Sequence, residues 1–187
     1  MEDFIEFCQN VSPLDHVSVE RLSSCLTAKQ ISKGETILHA GQYCRHFYFL
    51  RKGLVKLSTY HESREFIMHF FSEGMLCTVP DSVLRGSPSN YDLITLEDTR
   101  ITILSYDDLE VICSESHQAE TFFRKFLGRA CANMMQRINE MLTENASERY
   151  TLFLKQHPDL VQRLSLGDIA AYLGITQVSL SRIRAQY

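Results

Sequence analysis

Residues 165–187, SLGDIAAYLGITQVSLSRIRAQY, decide how the rest of this chain is interpreted. Ser165 followed by Asp168 has the S-x-x-D spacing of a capping box, so a helix is predicted to begin there. Gly174 stands where the end of a helix favours a left-handed residue, and Thr176 is placed to cap a second helix. The stretch therefore predicts a helix-turn-helix whose second helix enters the DNA major groove.

Apolar residues recur at helical spacing in both predicted helices and would pack them together. They are Leu166, Ile169, Ala170, Leu173, Leu180 and Ile183. The other residues of the second helix would face outward and meet DNA. They are Thr176, Gln177, Val178, Ser179, Ser181, Arg182 and Arg184. No acidic residue occurs between Thr176 and Tyr187, which favours a DNA reader over a helical hairpin that only closes a core.

Composition limits the remaining possibilities. The chain has 187 residues, 44% hydrophobic and 22% charged, which is typical of a globular protein. No apolar run approaches the ~20 residues needed to cross a bilayer, and the acidic N-terminus is not a signal peptide. The six cysteines form no C-x-x-C pair and are expected to be reduced thiols. We therefore expect a cytoplasmic protein without a membrane partner.

Charge is unevenly distributed along the chain. The net charge is −4, but residues 146–187 contain five Lys or Arg against three acids, a local charge of +2. Residues 1–145 therefore carry −6. A mildly basic C-terminal segment after an acidic N-terminal part is compatible with local contact to DNA and with a modest non-specific affinity for DNA.

The central part of the chain consists of short β-branched or aromatic runs separated by turn residues. These runs lie at 35–38, 46–50, 54–60, 65–71, 91–96 and 101–104. Their regular spacing predicts a closed antiparallel barrel or roll. Before them, the Ser12-Pro13 pair predicts the start of a helix.

A long helix is predicted over residues 118–144, where apolar residues step by three or four positions. The stripe consists of Phe123, Leu127, Ala130, Met134, Ile138 and Met141. At ~1.5 Å per residue this helix would run about 40 Å, more than one small barrel covers, so we expect it to form a dimer. The resulting division is an effector-type domain (1–116), a dimerisation helix (117–145) and a helix-turn-helix domain (146–187).

Three segments carry a resemblance to the Crp/Fnr family of bacterial transcription regulators: KGETILHAGQ (33–42), FYFLRKGLVKL (47–57) and LSLGDIAAYLGITQVSLSRIR (164–184). The resemblance implies an α+β protein with an N-terminal antiparallel β-roll, a double-stranded β-helix like that of cyclic-nucleotide-binding domains. It also implies a homodimer on a palindromic double-stranded DNA site, with recognition helices ~34–36 Å apart, and makes RNA polymerase a candidate partner.

The chain departs from the family where cyclic AMP binders hold the nucleotide. Their glycine-glutamate pair corresponds to Thr78-Val79, and their arginine-serine-alanine segment corresponds to Ser89-Asn90-Tyr91. Arg85 is the nearest arginine, and the polar pair that meets adenine corresponds to Met134-Met135. Because neither carboxylate nor guanidinium is present, we expect the nucleotide site to be lost. No cofactor is predicted, and an unknown small-molecule effector stays open.

The other sensing chemistries of the family find little support. An iron–sulfur cluster needs closely spaced cysteines, which are missing. A haem ligand remains open among four histidines, His39, His46, His61 and His69, and Cys77 is a candidate redox thiol that we expect to be buried and inert. No metal ligand set, nucleophile–base pair or catalytic residue is evident, so the chain is not expected to be an enzyme.

The second helix of the predicted helix-turn-helix also differs in sequence from the corresponding helix of well-known family members. Arg182 can bind guanine, Gln177 can pair with adenine, and Val178 offers only contact with a thymine methyl group. Thr176 and Ser179 are expected to contact phosphates. The sequence ends at Tyr187, before the β-hairpin wing of many relatives. These departures motivate a second hypothesis, a small-molecule binding module whose helix-turn-helix no longer reads DNA.

Overall fold

A computed structural model describes residues 1–185, so the last two residues of the predicted 146–187 domain, Gln186 and Tyr187, lie outside the described residues. The helices are α1 (Glu2–Val11), α2 (His16–Cys25), α3 (Pro80–Arg85), α4 (Tyr106–Glu115), α5 (His117–Thr143), α6 (Ala146–Gln156), α7 (Leu166–Leu173) and α8 (Gln177–Arg184). The strands are β1 (Thr27–Ile31), β2 (Thr36–Leu38), β3 (His46–Lys52), β4 (Val55–His61), β5 (Arg64–Phe71), β6 (Leu76–Cys77), β7 (Asp92–Thr95) and β8 (Thr99–Ser105).

Within residues 1–185, eight strands form two four-stranded sheets, with the orders β1-β8-β3-β6 and β2-β7-β4-β5. This α+β fold with an antiparallel roll confirms the predicted fold class. All six predicted strands are present. Two further strands were missed, because β1 buries only Ile31 and shows no apolar alternation, and β6 has only two residues. The turn at Glu62 and Ser63 has positive φ at both residues, the conformation of a tight hairpin turn.

The prediction for the N-terminal helices was wrong in detail. Ser12 does not begin a helix; it ends α1, and its backbone N–H donates to the Cys8 carbonyl. The helix that follows begins at His16, with the Asp15 side chain accepting from the Ser18 N–H at 2.7 Å. Asp15 is an equally good cap residue, so local sequence alone does not decide between the two starts.

The described residues form two compact units. The first contains residues 1–57 and 70–130, and the second contains residues 58–69 and 131–187, of which the structure describes those up to 185. A cluster of aromatic rings organises the core of the first unit, where Phe4, Phe47 and Phe122 are each about 1% exposed. Phe49 meets Phe4 edge-on at 5.5 Å between centroids, so α1 packs on one face of the β1-β8-β3-β6 sheet.

The core of the second unit is built from the C-terminal helices. Phe153, Leu173 and Leu180 are at most 1% exposed, and the Phe153 and Tyr172 rings lie 5.4 Å apart. Helix α6 begins with a complete capping box formed by Asn145 and Glu148. The predicted three-part division into residues 1–116, 117–145 and 146–187 remains a prediction.

Helix α5 has 27 residues, as predicted, and no helix among residues 1–185 is long and apolar enough to cross a membrane. Its first turns are held in the core of the first unit through Ala119 and Phe122. Farther along, the apolar side chains of Met134, Ile138 and Met141 are 57%, 49% and 39% exposed.

Candidate nucleic-acid interface

The helix-turn-helix forms as its sequence predicts, because each end of its two helices has a local partner. The Ser165 hydroxyl accepts from the Asp168 N–H at 3.0 Å at the start of α7. Gly174 adopts φ +70° at its end, in the left-handed region that glycine enters without steric cost. The Thr176 hydroxyl accepts from the Ser179 N–H at 3.1 Å and begins α8. These bonds satisfy backbone groups that helix ends leave open.

Packing between α7 and α8 fixes which side of α8 is available. Ala170 and Leu180 are almost completely buried, and Ile183 is partly buried. The predicted contact residues other than Ser179 are all exposed: Thr176, Gln177, Val178, Ser181, Arg182 and Arg184. Ser179 is half-buried, and its hydroxyl lies 2.9 Å from that of Thr176. The sequence therefore identified the outward face of α8 almost completely.

Two arginines that no local sequence pattern marks hold the C-terminal end of α7. Arg149 donates from Nε and Nη2 to the Leu173 carbonyl at 3.2 and 3.1 Å. Arg137 of α5 donates to the Tyr172 carbonyl, and its guanidinium carbon lies 3.8 Å from the centre of the Tyr172 ring. Burial lowers the pKa of Arg137 from its ordinary value. Cations at the negative end of a helix are favourable, so this arginine pair anchors α7 to α5 and α6.

A groove borders the start of α8. Its volume is about 420 Å³, and its lining includes Arg64 and Glu65 of the β4–β5 hairpin together with Gly167, Thr176 and Gln177. The Gln177 side chain lies over Gly167, since a Cβ on Gly167 would be 2.7 Å from the Gln177 amide nitrogen. A long side chain with several rotatable bonds can leave this position, so the arrangement does not prevent Gln177 from reaching a base.

The residues predicted to form a degenerate nucleotide pocket are tied to the backbone around α3. The buried Thr78 hydroxyl donates to the His46 carbonyl at 2.9 Å, and Val79 is completely buried. The buried Ser89 hydroxyl donates to the Tyr91 carbonyl at 2.8 Å and accepts from its N–H at 3.0 Å.

The remaining members of this predicted set are dispersed. Arg85 is exposed in the last turn of α3, Asn90 is exposed, and Tyr91 is partly buried. Met134 and Met135 are 57% and 60% exposed on the part of α5 that belongs to the second unit. The hydroxyls of Thr78 and Ser89 are therefore committed to backbone groups.

The structure gives no support to a metal or thiol site. Residues 1–185 contain no group of three or more His, Cys, Asp or Glu side chains placed to hold a metal ion. Cys77 is completely buried in β6, and burial raises its pKa well above the ordinary value. A thiol that stays protonated is a poor nucleophile, which agrees with the expectation that Cys77 is inert.

Comparison with known proteins agrees with this architecture. Residues 28–116 match the family model of the cyclic nucleotide-binding domain. No curated protein matches the sequence of the chain. A putative Crp/Fnr-family transcriptional regulator from Eubacterium rectale is similar in structure, with TM-score 0.74 and 17% identity, over 93% of this chain and 85% of that one.

Two further solved structures are similar to nearly the same extent. FixK2 from Bradyrhizobium japonicum has TM-score 0.75 and 20% identity, over 86% of this chain and 83% of its own. CLP from Xanthomonas campestris, a c-di-GMP responsive global regulator, has TM-score 0.73 and 15% identity, over 92% of this chain and 91% of its own. The Eubacterium rectale protein is described as a putative transcriptional regulator and CLP as a global regulator. Residues 28–116 thus match the cyclic nucleotide-binding domain model, and the fold of the chain is similar to that of a solved protein of the Crp/Fnr family.

Proposed function

We propose that this chain is a homodimeric, sequence-specific DNA-binding transcription regulator that does not depend on cyclic AMP. The observation that carries the proposal is the outward face of α8, a helix that is capped by Thr176, packed through Leu180 and free of acidic residues. From Gln177 to Arg184 the helix has eight residues, about 12 Å at ~1.5 Å per residue, enough to present one face to a major groove.

Each exposed residue of α8 has a role that follows from its chemistry. Arg182 can donate both arms of its guanidinium to guanine O6 and N7, and Gln177 can pair with adenine. Val178 is 62% exposed and suits a thymine methyl group. Thr176, Ser179, Ser181 and Arg184 are suited to phosphate oxygens, which set the position of the helix without reading sequence.

The exposed apolar stripe on α5 supports dimerisation. Met134, Ile138 and Met141 recur at helical spacing and are between 39% and 57% exposed, although apolar side chains of this size favour burial. A second copy of α5 would cover them in the manner of a two-stranded coiled coil. Two α8 helices would then read a palindromic site, with RNA polymerase as the candidate downstream partner.

Independence from cyclic AMP is supported by the residues around α3. A bound cyclic phosphate needs a cation or several donors, and the corresponding positions hold Ser89, Asn90 and Tyr91. The Ser89 hydroxyl is already committed to the Tyr91 backbone. The ribose-binding carboxylate is replaced by Val79, which is completely buried.

The experiment that tests the proposal is selection of bound duplexes from a random DNA library without added nucleotide. We expect enrichment of a palindrome with half-sites one helical turn apart. Arg182→Ala should then weaken binding to that site by about 1–3 kcal/mol and relax one base position. Lys155→Ala, which removes an equal charge from the exposed side of α6, should leave the sequence preference unchanged.

Three results would count against the proposal. Enrichment only after cyclic AMP or cyclic GMP is added would refute nucleotide independence. No enrichment under any condition would favour the second hypothesis, a small-molecule module whose helix-turn-helix has lost its DNA site. Equal losses for Arg182→Ala and Lys155→Ala would show that binding depends on charge alone.

A further inference from the structure

The first unit contains a second cavity. Its lining includes none of the residues that correspond to the nucleotide-binding positions of cyclic AMP binders. It has a volume of about 200 Å³ and lies against β1, β2, β3 and β8. Strand pairing sets Lys29 opposite Ile101 and Tyr48 opposite Ile103, so these side chains share one face of the sheet. The aromatic cluster with Phe47 and Phe49 occupies the other face, because neighbouring residues of a strand alternate.

Tyr48 supplies the first sign that the cavity is suited to a polar ligand. The residue is only 7% exposed and lines the cavity. No hydrogen bond involves its hydroxyl among residues 1–185, and the hydroxyl oxygen is not one of the fully buried atoms that lack a partner, so it is open to the cavity. Burial also raises the pKa of Tyr48, so the hydroxyl stays protonated and can donate. A ligand oxygen in the cavity would satisfy it.

Groups of both charges surround this hydroxyl. Lys29 and Glu35 are exposed at the mouth of the cavity, and neither forms an ion pair with another residue in the described range. The His46 ring lies 6.0 Å from the Tyr48 ring and adds an imidazole nitrogen. The floor is apolar, since Ile31 and Ile101 are at most 4% exposed.

We propose that this cavity binds a free α-amino acid with a branched apolar side chain. Lys29, His46 and Tyr48 would meet its carboxylate, Glu35 would meet its ammonium group, and the isoleucines would contact its side chain. The volume of about 200 Å³ lies below the ~300–1,000 Å³ of most ligand pockets, which suits a small ligand such as a single amino acid. The proposal is independent of the proposed function, because its test uses no DNA.

Isothermal titration of the full chain with L-leucine tests the proposal directly. We expect saturable binding of one molecule per chain. 4-Methylpentanoic acid lacks the ammonium group and 3-methylbutylamine lacks the carboxylate, so each should bind at least about tenfold more weakly. Tyr48→Phe removes only the hydroxyl and should weaken L-leucine about tenfold. Tyr43→Phe, at a tyrosine that is 55% exposed outside the cavity, should have no effect.

Several outcomes would overturn the proposal. These are the absence of saturable L-leucine binding, unchanged affinity in Tyr48→Phe, and an equal loss in Tyr43→Phe. Equal affinity for 4-methylpentanoic acid would remove the role given to Glu35 and with it the assignment to amino acids. Competition between cyclic AMP and L-leucine would show that the ligand occupies another site. A thermal unfolding scan of Tyr48→Phe confirms that the variant is folded before its affinity is interpreted.

Discussion

Gly174 shapes the turn between α7 and α8 through its backbone alone. At φ +70° an L-residue with a Cβ is strained, and a Cβ built there would lie 3.2 Å from the terminal carbon of Met141. The Met141 tip is flexible and can yield, so backbone strain is the larger of the two effects.

We predict that Gly174→Ala lowers the free energy of unfolding of the second unit by about 1–2 kcal/mol. Gly174→Asn should cost less, because asparagine enters the left-handed region more readily than alanine. Both variants place a Cβ near Met141, so the difference between them isolates backbone strain. Urea unfolding followed by circular dichroism measures it, and equal losses would assign the cost to the contact instead.

Folding changes the pKa of the His69 imidazole in the pH range just below neutrality. Burial, together with the positive charges of His157 and Arg137, lowers the pKa of His69 from 6.5 to about 4. Between these values the unfolded chain binds a proton that the folded chain does not. Stability is therefore complete above pH 6.5 and is lost as the pH falls toward 4.

We predict that lowering the pH from about 7.5 to about 5 reduces the free energy of unfolding by about 2 kcal/mol through His69 alone. His69→Gln should reduce the pH dependence by that amount. His117→Gln, at an exposed histidine, should retain the dependence of the original chain. Urea unfolding at both pH values gives the comparison, and identical slopes for His69→Gln and the original chain would contradict the assignment.

At the scale of elements, α5 exposes several large apolar side chains that no other part of residues 1–185 in a single copy of the chain covers. Ile138 is 49% exposed in the middle of the apolar stripe. Val111 on α4 is an equally apolar residue at 55% exposure, outside the stripe, and provides a matched position. The two residues distinguish a general effect of exposed apolar surface from a specific interface.

We predict that the chain sediments at twice its 21.6 kDa mass and that Ile138→Glu weakens self-association at least tenfold. The introduced carboxylate would be buried without a partner in the helix pair. Val111→Glu should leave the dimer intact. Sedimentation velocity over a concentration series measures both, and a monomeric original chain would end the proposal of an α5 dimer.

The sequence predicted those elements whose signals are local. The caps Ser165 and Thr176, the left-handed Gly174 and the 27 residues of α5 all follow from spacing within a few turns. Strand β1 was missed because its pairing with β8, more than 65 residues away, stabilises it without an apolar pattern. The misplaced start of α2 shows that local sequence does not decide between two cap residues three positions apart, Ser12 and Asp15.

The candidate interface was predictable only on its outward side. The residues of α8 that face out are separated from those that pack by helical spacing alone. Arg137 and Arg149, in contrast, bond to carbonyls 35 and 24 residues away. Carbonyl groups occur at every residue, so no sequence pattern marks which of them an arginine will bind. The Tyr48 cavity was missed for the same reason, because its residues come together only through strand pairing.

At the scale of the whole molecule, positive charge for DNA is scarce. The net charge is −4, and the two arginines on the outward face of α8 are Arg182 and Arg184. A dimer would present four such groups. Only Arg184 of each copy is assigned to a phosphate, so we predict that the logarithm of the binding constant for the selected site falls with the logarithm of salt concentration with a slope of about −2. Fluorescence anisotropy at salt concentrations from about 50 to about 200 mM measures this slope. A slope steeper than about −8 would show that the protein makes many phosphate contacts beyond those assigned here.

The anchoring of α7 by Arg137 and Arg149 has a consequence for the protein in a cell. These guanidiniums donate to carbonyl oxygens of the chain itself, so their N–H groups are not free to bond DNA phosphates directly. Under the proposed function, little of the regulator would then be held by the bulk of the chromosome. Its free concentration would stay close to its total concentration, and a few copies would suffice to occupy a matching promoter even when the ionic strength of the cytosol changes.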